Sequence, residues 1–195
     1  MSDSVFVANS RWVSRTLEII SDHLAPQRTI DVADLANRLG RVPWWNGCPR
    51  ADHLYSGSSA SRYRRVALNK RRSSEYSALL IGWPPGHATP IHDHDGLWGI
   101  EIVLDGVLEV ETFAMTETPR LEIVSQGASV LGVGDHAEFS ARDYAHQCRN
   151  LSAHRPALSL HVYGGELDRF SAYDRGVDGR WFGANHATSL EPALI

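Results

Sequence analysis

Between about Tyr63 and Tyr163 the chain breaks into short apolar or alternating segments separated by turn-forming residues, and this limits its fold more than any other feature. The segments are Ser77 to Trp83, Trp98 to Leu104, Val107 to Phe113, Leu121 to Val124, Ala137 to Phe139, His146 to Cys148 and Leu158 to Tyr163. A series of short strands with turn signals between them predicts a mainly β sandwich or barrel. Asp105-Gly106, between two apolar runs, predicts a tight hairpin, because Asp-Gly suits the positive backbone angles of a type I′ turn. The stretch after Gly164 is polar and aromatic, with a turn at Asp178-Gly179, and is expected to pack over the outside.

Ahead of the strands, Trp12, Val13, Leu17, Ile19 and Ile20 recur at helical spacing, which predicts an amphipathic helix from Ser10 to about His23. A second helix is expected over Val32 to Leu39, capped by Asp31 or Asp34 and ended by Gly40 in a left-handed conformation. Prolines and a glycine make Val42 to Pro49 irregular. At 195 residues the chain suits one domain, with residues 1–60 as a helical extension and about 63–175 as the barrel.

Composition narrows the function. The formal net charge is −4, and the basic residues gather only at Arg62/Arg64/Arg65 and Lys70-Arg71-Arg72, so nucleic acid is a poor partner. No run of eighteen apolar residues and no basic leader followed by an apolar stretch occurs, so neither a membrane span nor a secretion signal is expected. Two cysteines, Cys48 and Cys148, cannot build a disulfide framework; both are read as reduced thiols of a cytoplasmic protein. The anomaly is histidine: seven of the ten fall between residues 87 and 161, within the strand-rich stretch.

His92-Asp93-His94 puts two imidazoles at i and i+2, on one face of an extended chain. Gly86 lies six positions before His92, Gly106 closes the following segment, and Gly134 precedes His146 with Asn150 four positions after it. These two patterns resemble the paired motifs of the cupin superfamily, which implies a double-stranded β-helix (jelly-roll) barrel gathering His92, His94 and His146 around one metal ion. The glutamate that the first motif usually supplies is replaced by Gly99. Three neutral imidazoles leave a divalent ion's charge uncompensated, which favours an anionic ligand brought by the substrate, a thiolate being a natural candidate. Glu101 shares the parity of Gly99 and is open as a replacement ligand, a pocket residue or a rim charge.

Ser159-Leu-His161-Val-Tyr163 places Ser, His and Tyr on one face of a strand, where a Ser-His-Tyr relay would satisfy all three groups. The competing reading is the exposed polar face of an edge strand. Together with the three histidines, this strand resembles the thiol dioxygenases of the cysteine dioxygenase type. Trp83, the segment Asp168, Ala172 and Tyr173-Asp174, and Tyr63-Arg64-Arg65 add to the likeness, which covers roughly residues 60–175.

The resemblance implies an Fe(2+) enzyme that adds both atoms of O2 to the sulfur of a small thiol carboxylic acid. Tyr163 would face the substrate, with His161 and Ser159 fixing its hydroxyl, and Arg65 beside Tyr63 would grip the carboxylate. Arg65 favours L-cysteine over 3-mercaptopropionate; Arg64 could exchange roles with it, and Arg169 keeps mercaptosuccinate open. Gly99 stands where animal relatives carry a cysteine crosslinked to the tyrosine, so no crosslink is expected. A metal cupin with non-thiol chemistry and a ligand-binding barrel are the alternatives; the expected assembly is a monomer or weak homo-oligomer. Trp83, Trp98, Phe113 and Phe139 are read as core, and His87, His136 and His154 as turn or surface residues.

Overall fold

The fold is that of a computed structural model, described for residues 9–25, 30–55, 62–69, 75–116, 119–139 and 144–192. The Lys70-Arg71-Arg72 cluster and the first eight residues lie outside the described residues.

The expected helices form. Helix α1 spans Ser10–His23, with the Asn9 side chain accepting from the Trp12 N–H at its start. Helix α2 spans Val32–Leu39 and is capped by Asp31, which accepts from the Asp34 N–H. Gly40 departs from expectation: its φ is −58°, so no left-handed residue ends the helix. Glycine has a steric reason there, since a Cβ would come within 2.8 Å of the Gly134 carbonyl. A single 3-10 turn, Val42–Trp44, and a short helix α3, Ala51–Leu54, complete the N-terminal part.

The strands are β1 Arg64–Ala67, β2 Ser77–Trp83, β3 Ile91–His92, β4 Gly99–Asp105, β5 Leu108–Thr116, β6 Glu122–Leu131, β7 His136–Phe139, β8 Tyr144–Asn150, β9 Ala157–Tyr163, β10 Arg169–Arg175, β11 Trp181–Ala187 and β12 Glu191–Pro192. They form two six-stranded sheets in the orders β12-β1-β2-β9-β4-β7 and β11-β10-β3-β8-β5-β6. Among the described residues every strand pairing is antiparallel except β1 with β12. The two sheets make the double-stranded β-helix (jelly-roll) barrel expected from the sequence, and the described helices are few and N-terminal.

Two local expectations are corrected. Asp105-Gly106 does not close a hairpin: β4 pairs with β7 and β9, and β5 with β6 and β8, so this bend carries the chain from one sheet to the other. Gly106 has a φ of 86°, but Asp105 is not left-handed; its carboxylate accepts from the Ala51 N–H at 2.9 Å instead. The stretch after Gly164 is not a mere covering, because β10 and β11 pair along their whole length and β10 also pairs with β3.

The first sheet explains why β9 is apolar on alternate positions yet buried throughout. Leu158, Leu160 and Val162 face outward with Ala78, Leu80, Ile100 and Ile102, and α1 and α2 cover them with Trp12, Ile20, Leu35 and Leu39. Each such aliphatic side chain contributes about 1.5–3 kcal/mol on burial. Ser159, His161 and Tyr163 consequently face the barrel interior. The edge-strand reading is thereby excluded, since β9 lies between β2 and β4.

Candidate metal and substrate site

Strand β3 lies between β10 and β8, with His92 directly opposite His146. Past β3 the chain remains tied to β10 through Asp93. Its N–H donates to the Ser171 carbonyl at 3.0 Å, and its carboxylate accepts from the Ser171 N–H at 2.8 Å and the Tyr173 hydroxyl at 2.7 Å. His94 therefore lies in a pinned loop rather than within the strand, and its imidazole still meets that of His92. The chain then reverses at Asp95 and Gly96, whose φ values of 53° and 77° are the pair an Asp-Gly turn predicts, ten residues before the expected place.

The three imidazoles converge through their Nε2 atoms: His146 Nε2 is 3.1 Å from His92 Nε2 and 3.2 Å from His94 Nε2. Burial pushes all three pKa values down, those of His94 and His146 far down, so the rings are neutral. Each Nδ1 has a polar neighbour on its far side: the Pro90 carbonyl for His92 at 3.0 Å, the Tyr144 hydroxyl for His94 at 2.7 Å, and the Glu101 carboxylate for His146 at 3.6 Å. A carbonyl only accepts, so His92 carries its proton on Nδ1 and directs a lone pair from Nε2. A cation relieves the repulsion between facing lone pairs, and outer partners of this kind fix the tautomer of ligating histidines. The donor set fits a divalent metal ion with open positions.

A second chain of polar groups runs along β9. Trp83 Nε1–H donates to Ser159 Oγ at 2.8 Å, Ser159 Oγ lies 2.7 Å from His161 Nε2, and His161 Nδ1 lies 3.0 Å from the Tyr163 hydroxyl. Burial pushes the Tyr163 pKa well above its ordinary value, so it remains a phenol. Glu101 is neither on the rim nor on the Nε2 side of the histidines. It is buried, with Oε1 at 3.1 Å from His161 Nδ1 and Oε2 accepting from the Cys148 thiol at 3.1 Å. Burial disfavours this carboxylate, but His146, His161 and the Cys148 hydrogen bond outweigh it and hold its pKa down at about 2.

His92, His94, Glu101, His161 and Tyr163 border a cavity of about 280 Å³ lined also by Tyr63, Arg65, Ile81, His87, Leu167 and Phe170, with His146 and Ser159 behind its wall. Strand β1 separates the adjacent arginines by parity. Arg64 turns outward, donating to the Leu54 carbonyl and to Glu191, both at 2.6 Å. Arg65 turns into the cavity, where its buried Nε has no hydrogen-bond partner. Arg169 lies outside, 72% exposed and paired with Asp95.

A profile of the family described as "Cysteine dioxygenase type I" matches residues 2–176. This chain belongs to the cysteine dioxygenase type I family. It is 27% identical over 122 residues to human cysteine dioxygenase type 1, covering 63% of this chain and 60% of that protein, and 25% identical over the same length to the rat protein. The chain thus spans about three-fifths of the length of these curated relatives. Among solved structures, an uncharacterized conserved protein with a double-stranded β-helix domain from Klebsiella pneumoniae is similar, with a TM-score of 0.45 and 17% identity over 63% of this chain and 92% of that one.

Several site residues of this family member escape a reading of motifs alone. Tyr144 and Cys148 share a face of β8 with His146 and Asn150, so the two-residue period that marks the ligands would have found them; Cys148 is no ordinary isolated thiol. Trp83 is core, as expected, but its N–H also anchors the Ser159 hydroxyl. His87, expected to be a turn or surface residue, lines the cavity and stacks on Tyr63 with ring centroids 4.7 Å apart. Gly99 abuts the site, since a Cβ there would meet Tyr163 at 3.2 Å and His94 at 3.3 Å.

Proposed function

We propose that this protein is a ferrous-iron-dependent thiol dioxygenase acting on a small thiol monocarboxylate, L-cysteine foremost. The observation that carries the reading is three neutral imidazoles meeting through Nε2, two of them lining a cavity that also holds Arg65, whose buried Nε has no hydrogen-bond partner. His92, His94 and His146 would hold the ion. Bound there, ferrous iron supplies the thiolate-binding and oxygen-activating chemistry that side chains lack. The reaction balances without a reductant: RSH + O2 gives RSO2⁻ and H⁺, with four electrons leaving sulfur and four entering dioxygen.

Placement supports the remaining roles. Arg65 offers a planar donor pair to the substrate carboxylate. Tyr63, stacked on His87 and edge-on to Trp83 at 5.2 Å, walls that end of the cavity and limits water access. Tyr163, held by His161 and Ser159, presents a neutral hydroxyl to the reacting end. Among the described lining residues Arg65 is the one arginine or lysine, which supports a single carboxylate and speaks against mercaptosuccinate. Two free thiols suit a reducing cytoplasm.

The test is oxygen uptake by iron-loaded protein with L-cysteine, 3-mercaptopropionate and mercaptosuccinate. Uptake with L-cysteine above the other two is expected. No uptake with any of them would overturn the proposal.

A further inference from the structure

Glu101 has no part in the scheme above, although it lies at the centre of the site. It is 3% exposed, and its oxygens contact His161 Nδ1 at 3.1 Å, the Cys148 thiol at 3.1 Å and His146 Nδ1 at 3.6 Å. Desolvating a carboxylate costs several kcal/mol, a cost that an apolar side chain would avoid. Fold stability therefore does not account for it. What distinguishes its position is that one oxygen faces both a proposed ligand and the relay behind Tyr163.

We propose that Glu101 is a positioning residue that couples His146 to Tyr163 by setting which ring nitrogen of His146 and of His161 carries the proton. The inference rests on the metal-site reading above. Glu101 Oε1 lies 3.1 Å from His161 Nδ1, and a carboxylate so close favours a proton on that nitrogen over a lone pair. The other side of the ring agrees. Trp83 can only donate to Ser159 Oγ, and the Ser159 proton is then free to point at His161 Nε2. With Nδ1–H fixed, the Tyr163 oxygen at 3.0 Å accepts from it, and the Tyr163 proton remains available to the cavity. The opposite tautomer would draw that proton inward, away from the substrate. The same oxygen favours Nδ1–H on His146, which leaves Nε2 as the metal-facing lone pair.

Three measurements decide the matter. Long-range ¹H–¹⁵N spectra of the intact, zinc-loaded protein should show protons on Nδ1 of both His146 and His161; an unprotonated Nδ1 on either ring would overturn the proposal, and this readout needs no variant. In Glu101→Gln, cobalt(II) affinity should fall about 10- to 100-fold. Its turnover with L-cysteine should fall while KM stays within about twofold of the parent, because Arg65 is untouched, and the loss should be non-additive with Tyr163→Phe. Unchanged cobalt affinity, or turnover losses that simply multiply, would overturn the coupling. The zinc and cobalt arms require no turnover. A protein that binds cobalt through these residues and oxidises no thiol would therefore sink the enzymatic reading and leave this one standing, whereas a parent protein that binds no divalent ion would overturn both.

Discussion

The neighbouring arginines on β1 offer a sharp prediction, because parity sends them to opposite faces and gives them opposite signatures. In the cavity, Arg65 would make two charge-assisted hydrogen bonds to a carboxylate, and losing a buried clamp of this kind costs about 2–5 kcal/mol. At about 3 kcal/mol, Arg65→Ala should raise KM for L-cysteine roughly 150-fold. Its effect on folding should be small, since the guanidinium leaves a buried Nε unsatisfied in the free protein. Arg64→Ala should do the reverse. It removes the bonds to the Leu54 carbonyl and Glu191, one partly exposed, and should destabilise the fold by about 1–3 kcal/mol with KM unchanged. Oxygen-electrode kinetics and thermal melts on both variants complete the assay. A large KM effect from Arg64 and none from Arg65 would refute the assignment of the clamp.

Further outcomes concern the metal and the tyrosine. Stripping the metal with a chelator should lower Tm by about 5–10 °C, because an ion at about 100 times its Kd contributes near 2.7 kcal/mol, and re-addition should restore it. His146→Ala should fail to retain iron on desalting and should show no chelator-dependent shift in Tm. Tyr163→Phe should retain iron and lower kcat with little change in KM, read by metal analysis and steady-state kinetics. Gly99→Ala should reduce kcat about three- to tenfold, since its methyl group must displace Tyr163 or His94 by tenths of an ångström; an unchanged kcat would show that Tyr163 has room to move.

The legible parts of this chain are those in which side-chain period and burial agree. Strands β2, β4 and β9 are apolar runs buried on both faces, and their limits can be read to within about a residue. His-x-His and Ser-x-His-x-Tyr are visible for the same reason: a two-residue period places chemistry on one face. Where one face meets solvent the signal fails. β11 is exposed along most of its length, and β6 continues from Val124 through Ser125, Gln126 and Gly127 with no apolar alternation to mark it. The Asp105-Gly106 turn misleads because local chemistry reports a bend but not which strands pair across it, and those partners lie far along the chain. Glu101 and His87 required the same non-local information. One is placed by the register of β4 against β9, the other by a turn that folds back onto Tyr63.

The central claim is that both oxygen atoms delivered to the substrate sulfur come from dioxygen at the three-histidine site. Single-turnover reaction of the iron-loaded protein with L-cysteine under ¹⁸O2, followed by mass spectrometry of the product, tests it directly. A sulfinate carrying two heavy oxygens, formed one per O2 consumed and absent in His146→Ala, is the predicted result; a product labelled from water, or one formed equally well by His146→Ala, would contradict it.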